Sequence, residues 1–283
     1  FYFDAIVRQK PVDWKSLNPR DNLEEFSYVS NEELEYYSRE SERLYLSGRA
    51  VLATFGGTSF GDVALVPGLN LKDPRGIRGV KEWYMCHVLR PDYIFKVFEA
   101  QCDIALTNLE RIYRVVKNRV TVVFVTGTDF GTQKGLAISR EMYRKLYKPF
   151  HKKVNDWIHE VTGWKCFIHS CGSVEPLIKD FIEAGFDILN PVQTSAANMD
   201  PARLKRKYGD KITFWGGGVD TQRVLPFGTP NDVKRDVRSR IRIFARGGGF
   251  VFCAIHNIQP RVPVENVIAM FEALRKYGSY PVK

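Results

Sequence analysis

The sequence predicts an α/β protein of the (β/α)8 barrel class, and three observations carry that expectation. The stretch Cys166–Asn190, CFIHSCGSVEPLIKDFIEAGFDILN, reads as an apolar strand, a turn, a helix and a second strand in immediate succession, the βαβ unit of a parallel sheet. Short apolar runs of the kind buried on both faces recur along the chain, each followed by a loop and then by a segment with helical spacing. The chemically versatile side chains gather in the loops after the strands, the edge at which parallel barrels place their chemistry. With 283 residues and 44% hydrophobic content, the chain is long enough for one large core, so residues 1–283 are expected to form a single domain.

The chain opens on Phe1 rather than Met, so the N-terminal part of the barrel is expected to be incomplete. Phe3 to Val7 reads as a short strand, and Pro11 and Pro19 mark irregular surface up to residue 30. Asn31 is placed to cap a helix over Glu32–Ser47 that Gly48 ends, and Val51–Phe55 is the next strand. It runs into Gly56-Gly57-Thr58-Ser59, which reads as an ordinary βα turn because no complete phosphate-binding pattern surrounds it.

Pro91 opens an amphipathic helix to about Val116, and Val120–Val125 is a buried strand that delivers Thr126–Gln133, TGTDFGTQ, to the chemical edge. Asp129 and Gln133 are therefore candidates for substrate binding or proton transfer, with capping of a turn as the alternative use of Asp129. Ser139 starts a helix through Thr162, with Met142, Leu146, Phe150, Val154 and Ile158 along its core-facing stripe. In the central unit Ser173 is the expected cap of a helix carrying Val174, Leu177, Ile178, Phe181 and Ile182 inward, and Gly185 ends it.

Asn190-Pro191-Val192-Gln193 leaves the strand Phe186–Leu189, and Asp200-Pro201 starts a short helix. Ile212–Trp215 is a strand that ends in Gly216-Gly217-Gly218-Val219-Asp220. Asn190, Gln193 and Asp220 thus follow strands and are candidates to hold substrate. Thr229-Pro230 caps a helix with Val233, Val237, Ile241 and Phe244 inward, and Phe250–Ala254 is the last strand. It presents Cys253, the loop beyond presents His256, Asn257 and Gln259, and Pro263 begins a closing helix. Asn257 joins the candidate substrate contacts.

Composition narrows the setting. No run approaches the roughly eighteen apolar residues of a membrane span, and no secretory leader is visible. The five cysteines, at 86, 102, 166, 171 and 253, form no even, closely spaced framework, so a reducing cytoplasm and metal binding or burial are expected rather than disulfides. The net charge of +10 invites a nucleic-acid reading, yet the basic runs Arg203–Lys207 and Lys234–Arg238 follow helical faces interleaved with other residues and match no recognition motif. They read as solvated faces, with attraction to an acidic partner or anionic substrate as the functional alternative.

Side chains two apart on a strand point the same way, so His169 and Cys171 offer one imidazole and one thiolate to one spot. A third ligand from the end of the last strand, Cys253 or His256, would give the nitrogen and sulfur donors that zinc prefers, with a fourth position open for chemistry. Three residues apart on a strand means opposite faces, so the pattern does not choose between these two. On spacing alone the competing reading is a hydrogen-bonded core histidine among small buried cysteines.

Three segments, HSCGSVEPLIKDFIEAGFDILNPVQ, FWGGGVDTQRVLPFGTP and GGGFVFCAIHNIQPRVPVENV, resemble the uroporphyrinogen decarboxylase superfamily, and the likeness runs from about Phe55 to Tyr277. TDFGTQKGLAISREMYRKLYKP is similar to its segment after a central strand, and the whole resembles the corrinoid-linked methyltransferase branch, including methylcobalamin:coenzyme M methyltransferases and anaerobic O-demethylase components. The resemblance implies a (β/α)8 barrel and a zinc site built from an His-x-Cys-Gly element and a later cysteine. Carried across, the ligands are His169 and Cys171, with His256 in the later cysteine's position and Cys253 three residues before it. It further implies methyl transfer between a small donor or thiol acceptor and a corrinoid carried by a partner protein. The arginine-rich N-terminal segment and catalytic aspartate of true porphyrinogen decarboxylation find no match here. A lyase of that type and a non-catalytic barrel subunit are the alternatives.

Overall fold

The computed structural model describes residues 11–62, 71 and 73–282. The strand expected at Phe3 to Val7 lies outside the described residues. Six strands, β1 (Leu52–Ala53), β2 (Val122–Thr126), β3 (Lys165–His169), β4 (Ile188–Asn190), β5 (Thr213–Trp215) and β6 (Phe250–Val251), form one sheet in chain order. The pairs β1/β2, β4/β5 and β5/β6 are parallel. This is a parallel-stranded α/β fold with helical crossovers, and among the described residues it has six strands where the expected barrel has eight. Every strand expected from Val51 onward is present; β3 extends one residue beyond Cys166–Ile168 at each end, and the others are shorter or shifted. The last ends at Val251, so Cys253 stands in the loop beyond it rather than on the strand.

The chain groups into two compact units. The first comprises Phe1–Thr128, Ile138–Phe167 and Glu183–Gly185; the second comprises Asp129–Ala137, Ile168–Ile182 and Phe186–Lys283.

In the first unit, helix α1 (Asn31–Tyr45) begins one residue earlier than expected, because Ser30 rather than Asn31 makes a capping box with Glu33. After α2 (Val80–Leu89), helix α3 (Pro91–Val116) has the predicted bounds and buries Ile94, Val97, Phe98, Leu109 and Ile112. The Gly56-Gly57 turn is tied internally: the Gln101 amide donates to the Gly57 carbonyl and the Thr58 hydroxyl to the Val125 carbonyl, as an ordinary βα turn requires. Ser139 caps the next helix as expected, but a π-turn at Tyr143–Tyr147 precedes its main body α4 (Lys148–Val161). The extra residue in that turn shifts the stripe, so Tyr143 is buried where Met142 was expected, while Leu146, Phe150, Val154 and Ile158 stay inward. Phe60, Phe98, Tyr147 and Phe150 pack with ring centroids 4.9–6.0 Å apart in this core.

In the second unit, helices α5 (Glu175–Glu183, all but its last residue), α6 (Pro201–Tyr208), α7 (Pro230–Phe244) and α8 (Val264–Tyr277) follow the strands. Val233, Val237 and Ile241 of α7 pack in one apolar cluster with Ala269, Met270 and Ala273 of α8, and with Val219 and Leu225 before them. Thr229 and Asp232 form a reciprocal capping box on α7, and Asp200 caps α6. Ser173, the expected cap of α5, instead donates its hydroxyl to the Ala197 carbonyl at 2.6 Å. Among the described residues no helix is long and apolar enough to cross a membrane.

Candidate metal centre

The candidate site lies wholly in the second unit, where β3 ends. Alternation along the strand sends Ser170 away from His169 and Cys171, and the structure shows it: Ser170 is buried, with its hydroxyl accepting from the Phe130 amide at 2.9 Å. His169 and Cys171 are half-buried and meet, with Sγ 3.4 Å from Nε2. The shared facing expected from their spacing is thus realised.

A chain of hydrogen bonds sets the imidazole. The Trp215 carbonyl can only accept, so Asn190 presents its Nδ2 there at 2.8 Å and turns Oδ1 toward His169 Nδ1 at 2.7 Å. Oδ1 can only accept in turn, so the proton sits on Nδ1. That turns Nε2 toward Cys171, the nitrogen that a metal-ligating ring would present.

The backbone around Cys171 is as tightly determined. Its amide donates to Asp129 Oδ1 at 2.6 Å, the Gly172 amide donates to Gln193 Oε1 at 2.7 Å, and the Ser173 amide donates to the Thr132 carbonyl at 2.8 Å. Two glycines permit this approach. A Cβ on Gly131 would stand 2.6 Å from the Cys171 carbonyl oxygen, and one on Gly172, where φ is +87°, would stand 2.5 Å from the Gly131 carbonyl carbon. The loop after β2 and the loop after β3 are therefore laced backbone to backbone.

Asp129, His169 and Cys171 each offer a ligand atom, and these three atoms lie within 4.8 Å of one another. Burial, followed by the neighbouring Asp129 carboxylate, pushes the Cys171 thiol up to about 12. A thiol so disfavoured as an anion beside a carboxylate is a place where a divalent cation compensates both groups, and an imidazole, a thiolate and a carboxylate are all donors that zinc accepts. The donor set therefore fits the metal.

The other candidates are placed differently. Cys253 and His256 do not join the group of donors within 4.8 Å. Cys253 is half-buried, donates its Sγ–H to the Ala254 carbonyl at 3.2 Å and lies 4.0 Å from Asn190 Nδ2, beside the amide that holds the far nitrogen of His169. His256 and Asn257 are exposed, and the Asn257 carbonyl accepts from the Gln259 side chain. Gln133 is exposed and contributes only its backbone carbonyl, to the Ala197 amide at 3.0 Å. Asp220 is buried and its Oδ1 accepts from the amides of Gln222 and Arg223, a turn-capping use. Asn190 and Gln193, read from sequence as substrate contacts, bond instead to His169 and the Trp215 carbonyl and to the Gly172 amide. Sequence reasoning missed this bracing, and missed Ser170; the strand alternation that paired His169 with Cys171 was the available signal that Ser170 points into the protein.

Comparison with known proteins bears on the fold and the family. The family model for "Uroporphyrinogen decarboxylase (URO-D)" matches residues 75–277. A curated uroporphyrinogen decarboxylase of Methylococcus capsulatus is 27% identical over 96 residues, 34% of this chain and 25% of that protein. A solved methyltransferase from Methanosarcina mazei superposes with a TM-score of 0.60 at 16% identity, covering 87% of this chain and 64% of its own. The chain thus spans about a quarter of the curated relative and under two thirds of the solved one.

Proposed function

The chain belongs to the uroporphyrinogen decarboxylase (URO-D) family, and from that premise we propose that it is a zinc-dependent methyltransferase. It would move a methyl group between a small donor or thiol acceptor, such as a methoxylated aromatic or coenzyme M, and a corrinoid carried by a partner protein. One observation carries this reading: His169 Nε2 and Cys171 Sγ stand 3.4 Å apart on an imidazole whose tautomer Asn190 fixes. A decarboxylase acting on a polycarboxylate has no evident use for such a pair.

His169 and Cys171 would hold the metal. Bound there, zinc supplies a Lewis acid that keeps a thiol as thiolate or draws charge from a methoxy oxygen. The protein's own residues supply the rest. Asn190 holds the imidazole in orientation, and Gln193 fixes the Gly172 amide and with it the direction of the Cys171 backbone. Both ligands are half-buried, which leaves a side from which substrate can approach. The fold of the Methanosarcina methyltransferase is compatible with this branch, while the name of the Methylococcus relative keeps the lyase as the second reading.

Metal analysis of the purified protein tests the reading. Near-stoichiometric zinc in the parent, lost in His169→Ala and in Cys171→Ala, is the expected result. A zinc-free protein that releases carbon dioxide from uroporphyrinogen would replace it with the lyase.

A further inference from the structure

We infer that Asp129 is the third protein ligand of the metal, and that neither Cys253 nor His256 takes that place. The inference rests on the zinc reading above and departs from the ligand set that the sequence resemblance implies.

Position is the first ground. The ligand atoms of Asp129, His169 and Cys171 lie within 4.8 Å of one another, close enough to converge on one ion with small side-chain adjustments, and Cys253 and His256 lie outside that group. Zinc sits about 2.0–2.3 Å from nitrogen, oxygen and sulfur donors, so donors around one ion are separated by no more than about twice that.

The second ground is the direction of the imidazole. Asn190 stands at Nδ1 through its Oδ1, and Cys253 stands near the same amide's nitrogen, 4.0 Å from Nδ2. The ring's other nitrogen, Nε2, faces Cys171. Cys253 is thus placed by the amide's nitrogen end, which already donates to the Trp215 carbonyl. Asp129 is already beside Cys171: its Oδ1 accepts from the Cys171 amide, and a carboxylate has further lone pairs with which to ligate while keeping that bond.

The third ground is rigidity. Asp129 is carried by the loop laced to Cys171 through Gly131, Gly172 and the Ser173–Thr132 hydrogen bond, so carboxylate and thiolate are held on one frame. Asp129 is itself exposed, so its contrast with His256, in the exposed stretch from residue 256 to 261, lies in this lacing and not in burial. The resulting donor set has a single sulfur, one nitrogen and one oxygen, harder than a two-thiolate site.

Zinc and cobalt(II) affinities measured by chelator competition, with the near-ultraviolet absorption of the cobalt protein, decide the matter on parent, Asp129→Asn, Cys253→Ser, His256→Ala and Cys171→Ser. Asparagine keeps an acceptor for the Cys171 amide, so Asp129→Asn should retain the parent circular dichroism and lose affinity by about 100-fold or more, at least the loss seen when an outer-shell partner is removed. Cys253→Ser and His256→Ala should bind like the parent with unchanged cobalt–thiolate absorption, which Cys171→Ser should abolish. Loss of affinity and absorption in Cys253→Ser, or of affinity in His256→Ala, with Asp129→Asn unaffected would overturn the assignment. Binding that depends on His169 and Cys171 but not on Asp129 would sink the third ligand alone, whereas a parent that binds neither metal would sink the zinc reading with it.

Discussion

Two loops of the second unit, the one after β3 and the one after β6, looked alike in the sequence. Each carries a cysteine, a histidine and a polar neighbour, and each was expected to give ligands to one ion. They differ in how completely their surroundings determine them. From His169 to Ser173, a hydrogen-bond partner fixes the imidazole or the backbone amide at every residue, and two glycines allow a neighbouring loop to approach within van der Waals contact. From His256 to Arg261 the chain is exposed, and the bond made by Gln259 to Asn257 is local. Residue type marks a candidate ligand, but a ligand must also be held in place, and only the first loop is built to do that.

The largest effect should come from filling the contact between the laced loops. Gly172 combines a φ of +87° with a would-be Cβ 2.5 Å from backbone, so Gly172→Ala has neither conformation nor space. Its unfolding free energy should fall by about 3–5 kcal/mol, the sum of left-handed strain and overpacking. Gly248 has a φ of +85° but nothing within 4 Å of a would-be Cβ, so Gly248→Ala should lose only about 1 kcal/mol. Urea unfolding midpoints of the two variants compare space with strain directly, and equal losses would mean that the lacing contributes nothing.

The difference between the loops also explains what the sequence could and could not disclose. Strand periodicity is local, so the pairing of His169 with Cys171, the bounds of α3 and the inward face of α7 were all legible. Caps compete over one or two residues, and Ser30 displaced Asn31 because its capping box with Glu33 satisfies two amides where Asn31 offered one. The π-turn at Tyr143–Tyr147 altered a stripe whose four-residue repeat fits a straight α-helix poorly. The placement of Asp129 beside Cys171 depends on residues 42 apart in the chain meeting across a loop, and no local pattern encodes that. Asn190 and Gln193 stand out in the sequence because they follow strands, but whether an amide faces a substrate or a neighbouring side chain is a tertiary outcome.

Next in size is the brace on the imidazole. Asn190→Ala removes the acceptor at His169 Nδ1 and frees the ring to rotate or change tautomer, so zinc affinity should fall about 10–100-fold while His169 remains. Asn190→Asp keeps an acceptor and should restore most of it. If both variants bind alike and weakly, the amide acts through the Trp215 carbonyl and not through the imidazole.

Gln193→Leu should cost less in metal and more in stability. It strips the buried Gly172 amide of its acceptor, a loss of about 1–3 kcal/mol in urea unfolding, since a buried donor left unpaired bears its desolvation cost. Gln193→Glu keeps an acceptor at the same reach and should recover part of that loss.

The smallest effects belong to the loop after β6, and there the comparison between the loops is most exposed to refutation. His256 and Asn257 are exposed, and the bond from Gln259 to the Asn257 carbonyl involves no side-chain atom of either residue. Exposed substitutions of this kind shift stability by no more than about 0.5 kcal/mol. His256→Ala and Asn257→Ala should therefore unfold at the parent urea concentration and retain zinc. Methyl-transfer assays on the same two proteins then separate two uses of the loop. A rise in KM with zinc content unchanged would give it a part in holding substrate, the use first read into Asn257. A loss of zinc from His256→Ala would mean that the loop closes onto the ion from its exposed position, and that the contrast between a held and an unheld loop fails.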